Sequence, residues 1–375
     1  MANTLTNLIP DVYAALDVVS RELVGALPGV TRDARADRLA SNQTLRIAQA
    51  PTNTTSSFTP SMAIPSAVDQ TIGNAALTLT KNKYAAFSWT GEEQYSVDQG
   101  PGFLSIQQGQ IAQAFRALVN EMETDVCDAL AQGASRAYGT AGTTPFASTL
   151  ADSAQVRKIL DDNGAPASAR SMVINTSAGA ALRTLGQLTK ANEAGNSMTL
   201  RDGELLNMHG FSIRESAQIN DATAGTGASY LLNGALTVGA TTVTVDTGSG
   251  TILAGDIVTI GNHKYVVATA LSGGSFTINA PGIVAAAADN LAITVNATSA
   301  RNLAFSSDAI VLATRLPMFP AQGDLAIDNE IITDPRTGIS FDLRVYPGDG
   351  MVLYRLHALW GWKVAKTAHV ALMLG

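Results

Sequence analysis

Between Thr223 and Thr298 the chain holds only four charged residues in 76: Asp246, Asp256, Lys264 and Asp289. Apolar and polar residues alternate through LTVGATTVTVD, DIVTI, KYVVATA and SFTINA, and Gly-rich turns separate these runs. A period of two marks strands with one buried face, so the stretch predicts about five to seven short antiparallel strands in a small barrel or sandwich. Charge returns abruptly afterwards, with seven basic and seven acidic residues between Ser299 and the C-terminus. A β-module is therefore inserted into an α+β host rather than appended to it.

The host reads differently. Leu8, Val12, Leu16, Val19, Leu23 and Leu27 recur at helical spacing; Asn7 suits the cap, Pro10 the first turn, and Pro28-Gly29 the end. Thr31 to Arg38 alternates charge without an apolar face, and Asn42 to Ser66 is rich in Thr, Ser, Pro and Asn with little periodicity. A stretch of that kind is either a disordered linker or an extended arm that orders against neighbouring chains. From Ala75 to Thr90 the pattern predicts a hairpin, with Leu77 and Leu79 on one strand, a turn at Lys81-Asn82, and a return from Tyr84 to Trp89.

After Gly100-Pro101-Gly102 a long helix is predicted from about Leu104 to Tyr138, with Ile111, Phe115, Leu118, Met122, Val126, Leu130 and Ala134 on one stripe. Its acidic residues Glu121, Glu123, Asp125 and Asp128 read as a solvated face, and Cys127, near the stripe, as a packed small hydrophobe. Residues 150–222 predict mixed α/β structure. Here a helix carries Val156, Ile159 and Leu160, a strand runs through Met172-Val173-Ile174, and a helix spans about Ala178 to Leu188. Further strands lie around Leu205-Leu206 and Phe211-Ser212-Ile213.

Charged residues make up 15% of the 375, against the roughly 25% usual for soluble domains, while 46% are hydrophobic. That balance argues against disorder and for a chain that buries much surface against other chains or lives outside the cell. The 31 acidic and 24 basic residues leave a net charge of −7, which disfavours a dedicated nucleic-acid binder. A single cysteine excludes an internal disulfide. The start MANTLTNLIPDVYAALDVV lacks a basic n-region, and Arg355, Lys363 and Lys366 interrupt the apolar stretch from Met351 to Leu374. The expectation is a soluble product of a reducing cytoplasm without a membrane span.

No Walker-type loop, dinucleotide fingerprint, Gly-x-Ser-x-Gly elbow or His-Glu-x-x-His motif occurs. His209, His263, His357 and His369 stand far apart in sequence, and Asp246, Asp256 and Asp289 are too isolated for a calcium loop. Glu92-Glu93, read on a strand, would point to opposite faces. Asn53, Asn175 and Asn296 match the glycosylation pattern by chance. No catalytic, metal-binding or cofactor-binding residue is nominated, and the chain does not read as an enzyme.

The order of these features carries a resemblance. The stretches LIPDVYAALDVVSREL, FSWTGEEQ, SRAYGTAGTTPFAS, DDNGAP, NLAFSSDAIVLATRLP and ALWGWKVAKTAHVALMLG follow one another along nearly the whole chain. In that order they resemble the major capsid protein of tailed bacteriophages, of the short-tailed phage type with an inserted β-domain. The resemblance implies an α+β fold with an N-arm (1–40), an extended loop with hairpin (41–98) and the spine helix of a peripheral domain (99–149). An axial domain (150–222), the inserted antiparallel barrel-like domain (223–298) and a return to the axial and peripheral domains (299–375) complete it.

It further implies self-assembly as hexamers and pentamers into an icosahedral shell in the host cytoplasm. Scaffolding and portal proteins would be partners, no cofactor would be needed, and double-stranded DNA would be enclosed without sequence-specific binding. Lys81, Lys83, Glu92 and Glu93, flanking the hairpin, are candidates for contact with an adjacent subunit. Asp11, Asp17, Arg21 and Glu22, off the apolar stripe of the N-terminal helix, are candidates for scaffold contact or simple solvation. Two other readings remain open: a nanocompartment shell of the same fold, and a β-rich carbohydrate-binding surface protein.

Overall fold

The computed structural model describes residues 24–33, 40–49, 55, 57, 59–62, 72–98, 103–189, 207–320, 322–334 and 337–375. The helix predicted over Leu8 to Leu27 lies almost wholly outside them. Its last residue, Leu27, opens a 3-10 turn, Leu27–Gly29.

The long helix is present as Phe103–Gly133, 31 residues, or about 46 Å at roughly 1.5 Å per residue. It ends short of the predicted Tyr138 because Arg136–Tyr138 is drawn into a sheet. The whole stripe from Ile111 to Ala134 is buried. On one side it meets a sheet organised by the 14-residue strand Met351–Val364. Lys81–Thr90 pairs along one edge of that strand; Ser340–Pro347 and Ile310–Arg315 share the other. Asp328–Thr333 and the parallel Thr31–Arg32 lie outermost. Phe115 of the helix meets Phe341 of the sheet edge to face at 5.2 Å.

The predicted hairpin is not formed. Both of its strands exist, but Gly73–Thr78 pairs with Thr44–Gln49 and Lys81–Thr90 pairs with Met351–Val364. Only two residues separate the strands, and they turn a corner between two sheets. Leu77 and Leu79 are buried against Val311, Ala313 and Leu359, contacts that a free-standing hairpin would not offer. Strand Thr44–Gln49 also corrects the irregular reading of Asn42 to Ser66: Leu45 and Ile47 are too few to register as a period, yet both pack on that cluster.

A second sheet runs Phe211–Glu215, Arg170–Ile174, Ser299–Ser306, Val370–Leu374 and Arg136–Tyr138. Val370–Leu374 is buried throughout, as expected for a strand covered on both faces. Leu372 and Leu374 join the core shared with the long helix, while Ala371 and Met373 join the core under helices Ala151–Asp162 and Thr176–Thr184. Asn175, which matched a glycosylation pattern, caps the second of these helices by accepting from the Ala178 N–H at 2.9 Å. The strand expected at Leu205-Leu206 lies outside the described residues.

The charge-poor segment is a closed barrel of six antiparallel strands. Around it run Tyr230–Leu232, Thr242–Asp246, Ser275–Ile278, His263–Ser272, Ile257–Ile260 and Ala292–Val295, the last pairing back to the first. Val243 and Val245 fill the interior while Thr242 and Thr244 face outward, as the alternation required. Gly250 has φ +89°, and a Cβ there would collide with the Thr226 carbonyl, so a glycine is demanded.

The barrel is fused to its host by the pairing of His263–Ser272 with Arg136–Tyr138. Asn279 adds a second tie, donating to the Gln132 and Ala134 carbonyls (2.7 and 2.8 Å) that the helix end leaves without intrahelical partners.

Phe115→Ala should destabilise the isolated chain by about 3–5 kcal/mol, since the ring is wholly buried between helix and sheet. Denaturant unfolding checks this; a loss under about 1 kcal/mol would mean that the core there can collapse around the gap.

Candidate functional site

Among the described residues no group of three His, Cys, Asp or Glu side chains could hold a metal ion, and no helix is long and apolar enough to cross a membrane. Cys127 is buried in the core, where burial and the adjacent Glu123 push its thiol well above the ordinary range. His209 Nδ1 lies 2.8 Å from Ser153 Oγ, but that serine is buried and its hydroxyl donates to the Leu150 carbonyl. The pair is therefore a packing contact rather than a nucleophile and base. The residues with work to do are those that hold exposed segments onto the body.

Glu123 is the first. The acidic cluster of the long helix was expected to be solvated, but Glu123 is 0% exposed. Its Oε1 accepts the backbone N–H groups of Gly25 (2.8 Å) and Ala26 (2.7 Å), and its Oε2 that of Leu27 (2.9 Å). A carboxylate that gathers three donors at the start of a turn is stabilised as anions are at helix N-termini. The chain leading out to the N-terminal segment is thus latched to the middle of the long helix.

The neighbouring acids are also engaged. Asp125 accepts from the Trp360 indole N–H at 2.9 Å and lies 3.4 Å from Lys81 Nζ. Glu121 Oε1 lies 3.5 Å from both Lys81 and Lys83. Burial works against the Lys81 ammonium, but Asp125 and Glu121 outweigh it and hold its pKa above the ordinary lysine value. Asp128 is pushed up by burial and by Asp125, with Arg301 opposing.

Lys81 and Lys83, nominated for contact with another subunit, therefore have partners within their own chain. Lys83 keeps half of its side chain exposed. Such surface pairs contribute about 0–1 kcal/mol each, so they orient the strand more than they stabilise it.

Glu92 and Glu93 lie in the first turn of a helix, Gly91–Asp98, and not on the strand first assumed. Thr90 and Glu93 form a capping box: the Thr90 N–H donates to Glu93 Oε2 at 2.9 Å, and the Glu93 N–H donates to Thr90 Oγ1 at 3.3 Å. Thr90 thereby holds the Glu93 carboxyl below its ordinary range. The Thr-x-x-Glu spacing was visible in FSWTGEEQ and was missed. Asp11, Asp17, Arg21 and Glu22 lie outside the described residues.

A further ionic clasp joins two 3-10 turns, Ser307–Ala309 and Thr367–His369. Asp308 lies 2.8 Å from Lys366 Nζ and 3.3 Å from His369 Nδ1. Burial raises its carboxyl, but hydrogen bonds from Lys366, Ser306 and His369 prevail and lower it from 3.8 to about 2.

No protein-family model matches the chain, and no curated protein is significantly similar to it in sequence. Solved structures are similar in fold. A chain of the structure of Mycobacterium phage Che8 matches at TM-score 0.51 and 16% identity, over 92% of this chain and 89% of that one. The capsid of the cyanophage P-SCSP1u matches at 0.48 and 12%, over 92% and 86%. A virus-like particle from Pyrococcus furiosus matches at 0.46 and 9%, over 98% and 100%.

Glu123→Ala strands three backbone donors, each costing about 1 kcal/mol or more. Hydrogen exchange at Gly25 to Leu27 should accelerate while the barrel stays protected; unchanged exchange would assign the hold to Leu27 packing instead. The Asp308 clasp, a depressed carboxyl, contributes stability above about pH 4 that is lost as pH falls toward its folded pKa of about 2. Asp308→Asn should flatten that part of the stability–pH curve, measured by unfolding midpoints from pH 5 to 2.

Proposed function

We propose that this chain, whose fold is that of the tailed-phage major capsid proteins, is the subunit that builds a phage head shell. The observation that carries the reading is a match along the whole subunit. One phage structure is matched in fold over 92% of this chain and 89% of its own, so the likeness is not confined to a single module.

The physical character of the surface supports it. Several large apolar side chains stand in solvent in the isolated chain, including Met62, Ile72, Tyr84, Tyr95, Met318, Leu325, Ile327 and Ile331. Obligate assemblies bury about 2,000 Å² or more, and a surface poor in charge lowers the desolvation cost of doing so. Charges in the first fifty residues are balanced, five basic against five acidic, which suits directional pairs at interface rims.

In this reading residues 1–40 form the N-arm, 41–98 the extended loop, and 99–149 the spine of the peripheral domain. The axial domain comprises 150–222, the barrel is the inserted domain 223–298, and 299–375 return to the axial and peripheral domains. Hexamers and pentamers close the shell in the host cytoplasm, around a portal and with a scaffolding protein. Double-stranded DNA is enclosed without sequence-specific contacts, consistent with a net charge of −7. Asp11, Asp17, Arg21 and Glu22 are proposed to meet the scaffold. Lys81, Lys83, Glu92 and Glu93 are proposed to meet the next subunit, the two lysines from beside their in-chain partners Glu121 and Asp125.

Electron microscopy of the protein expressed alone and with a candidate scaffold tests the assignment. Uniform closed shells are expected; a persistent soluble monomer would count against it, and small cargo-filled shells would favour a nanocompartment. Charge reversal at Lys83 and Glu92 together should reduce shell yield several-fold while the monomer unfolds at an unchanged midpoint. Normal shells from that variant would remove these residues from the interface.

A further inference from the structure

Where the barrel joins its host, the pairing of Lys264 with Ala137 and of Tyr265 with Arg136 borders a cavity of about 410 Å³. That volume falls within the range of small-ligand sites, roughly 300–1,000 Å³. Arg136, Lys158, His263 and Lys264 line it, and the only carboxylate among its lining residues is Asp162. With His263 neutral, three positive charges face one negative charge, in a chain whose net charge is −7.

The one carboxylate is already committed. Asp162 Oδ2 lies 2.8 Å from Lys158 Nζ and 3.7 Å from Arg136 Nη2. Lys264 pairs with no carboxylate among the described residues: its ammonium donates to the Gly139 carbonyl, and burial pulls its pKa below the ordinary amine value. The Arg136 side chain is 6% exposed; Nη2 donates to the Asn163 side chain at 3.0 Å and to the Ile159 carbonyl at 3.3 Å, while its buried Nε has no partner. His263 is held below its ordinary pKa by burial and then by Arg136 and Lys158, which marks the cavity as electropositive. Arg136 is the buried cation of the three, and it shares the one lining carboxylate, Asp162, with the exposed Lys158, which leaves partly buried Lys264 without an anionic partner among the described residues.

We propose that this cavity binds a phosphate-type oxyanion, with Lys264 and Lys158 as ammonium donors and Arg136 as the positive wall behind them. A tetrahedral anion offers acceptor oxygens in several directions, which suits donors that arrive from separate elements. Lys264 comes from the barrel, Lys158 from helix Ala151–Asp162, and Arg136 from the strand that the barrel pairs with. The bound anion offsets the excess charge and staples barrel to host at their shared ladder.

The test is calorimetry and thermal unfolding of the intact chain in inorganic phosphate, against sodium chloride at matched ionic strength. A saturable, phosphate-specific rise in Tm is expected. Lys158→Gln and Lys264→Met should each weaken phosphate binding roughly tenfold or more. Lys158 is 66% exposed, so its variant should keep the ligand-free Tm of the parent and guards against loss of fold. ADP serves as a second probe: tighter binding than phosphate, lost in the same variants, assigns the anion to a nucleotide, and phosphate binding alone assigns it to the free ion. No saturable shift beyond chloride, or unchanged phosphate affinity in both variants, overturns the site.

Discussion

Both host sheets are positioned by the burial of one helix between them. Phe103–Gly133 presents Phe115, Met122 and Val126 to a core that takes Phe341, Tyr354 and Trp360 from the first sheet, and Leu303, Phe305 and Leu372 from the second. Neither sheet could cover its inner face without the helix, and the helix could not stay buried without both. Because the packing is close, a shift of the helix would be felt in both sheets. Glu123 then uses that rigid axis to hold the turn at Gly25 to Leu27, and Asp125 uses it to hold Trp360.

The barrel solves a different problem. A segment so poor in charge would expose aggregation-prone strand edges if its sheet were open, and closure into six strands leaves no edge unpaired around the ring. Its attachment combines directional bonds (a short ladder to Arg136–Tyr138, Asn279 on the helix end, and Arg301 donating to the Gly255 carbonyl) with Ile257 and Val266, which are buried in the core around the long helix. The rest of the module keeps a core of its own.

The parts that could be read in advance share a physical property. The apolar stripe of the long helix and the alternation of Thr242–Asp246 are both periodic signals, and periodicity follows from local geometry. The misreadings lie where partner choice decided the outcome. Gly73–Thr78 and Lys81–Thr90 looked like a hairpin because they are adjacent, yet Lys81–Thr90 lies along the 14-residue strand Met351–Val364, and Gly73–Thr78 pairs with Thr44–Gln49. Glu123 looked solvated because it sits among acids, and Glu92 and Glu93 were placed on a strand although Thr90 caps them into a helix.

Sequence alone therefore determined the long helix, the run of short strands after Thr223, the exclusion of familiar catalytic motifs, and through element order the family that the fold resembles. Tertiary structure decided which strands pair, which charges are spent inside the chain, and that Arg136, Lys158 and Lys264 meet around one cavity. The reason is range. Periodicity and capping act over a few residues, whereas Glu123 meets Gly25 across 98 positions and Lys264 meets Gly139 across 125, separations over which a sequence pattern carries no geometry.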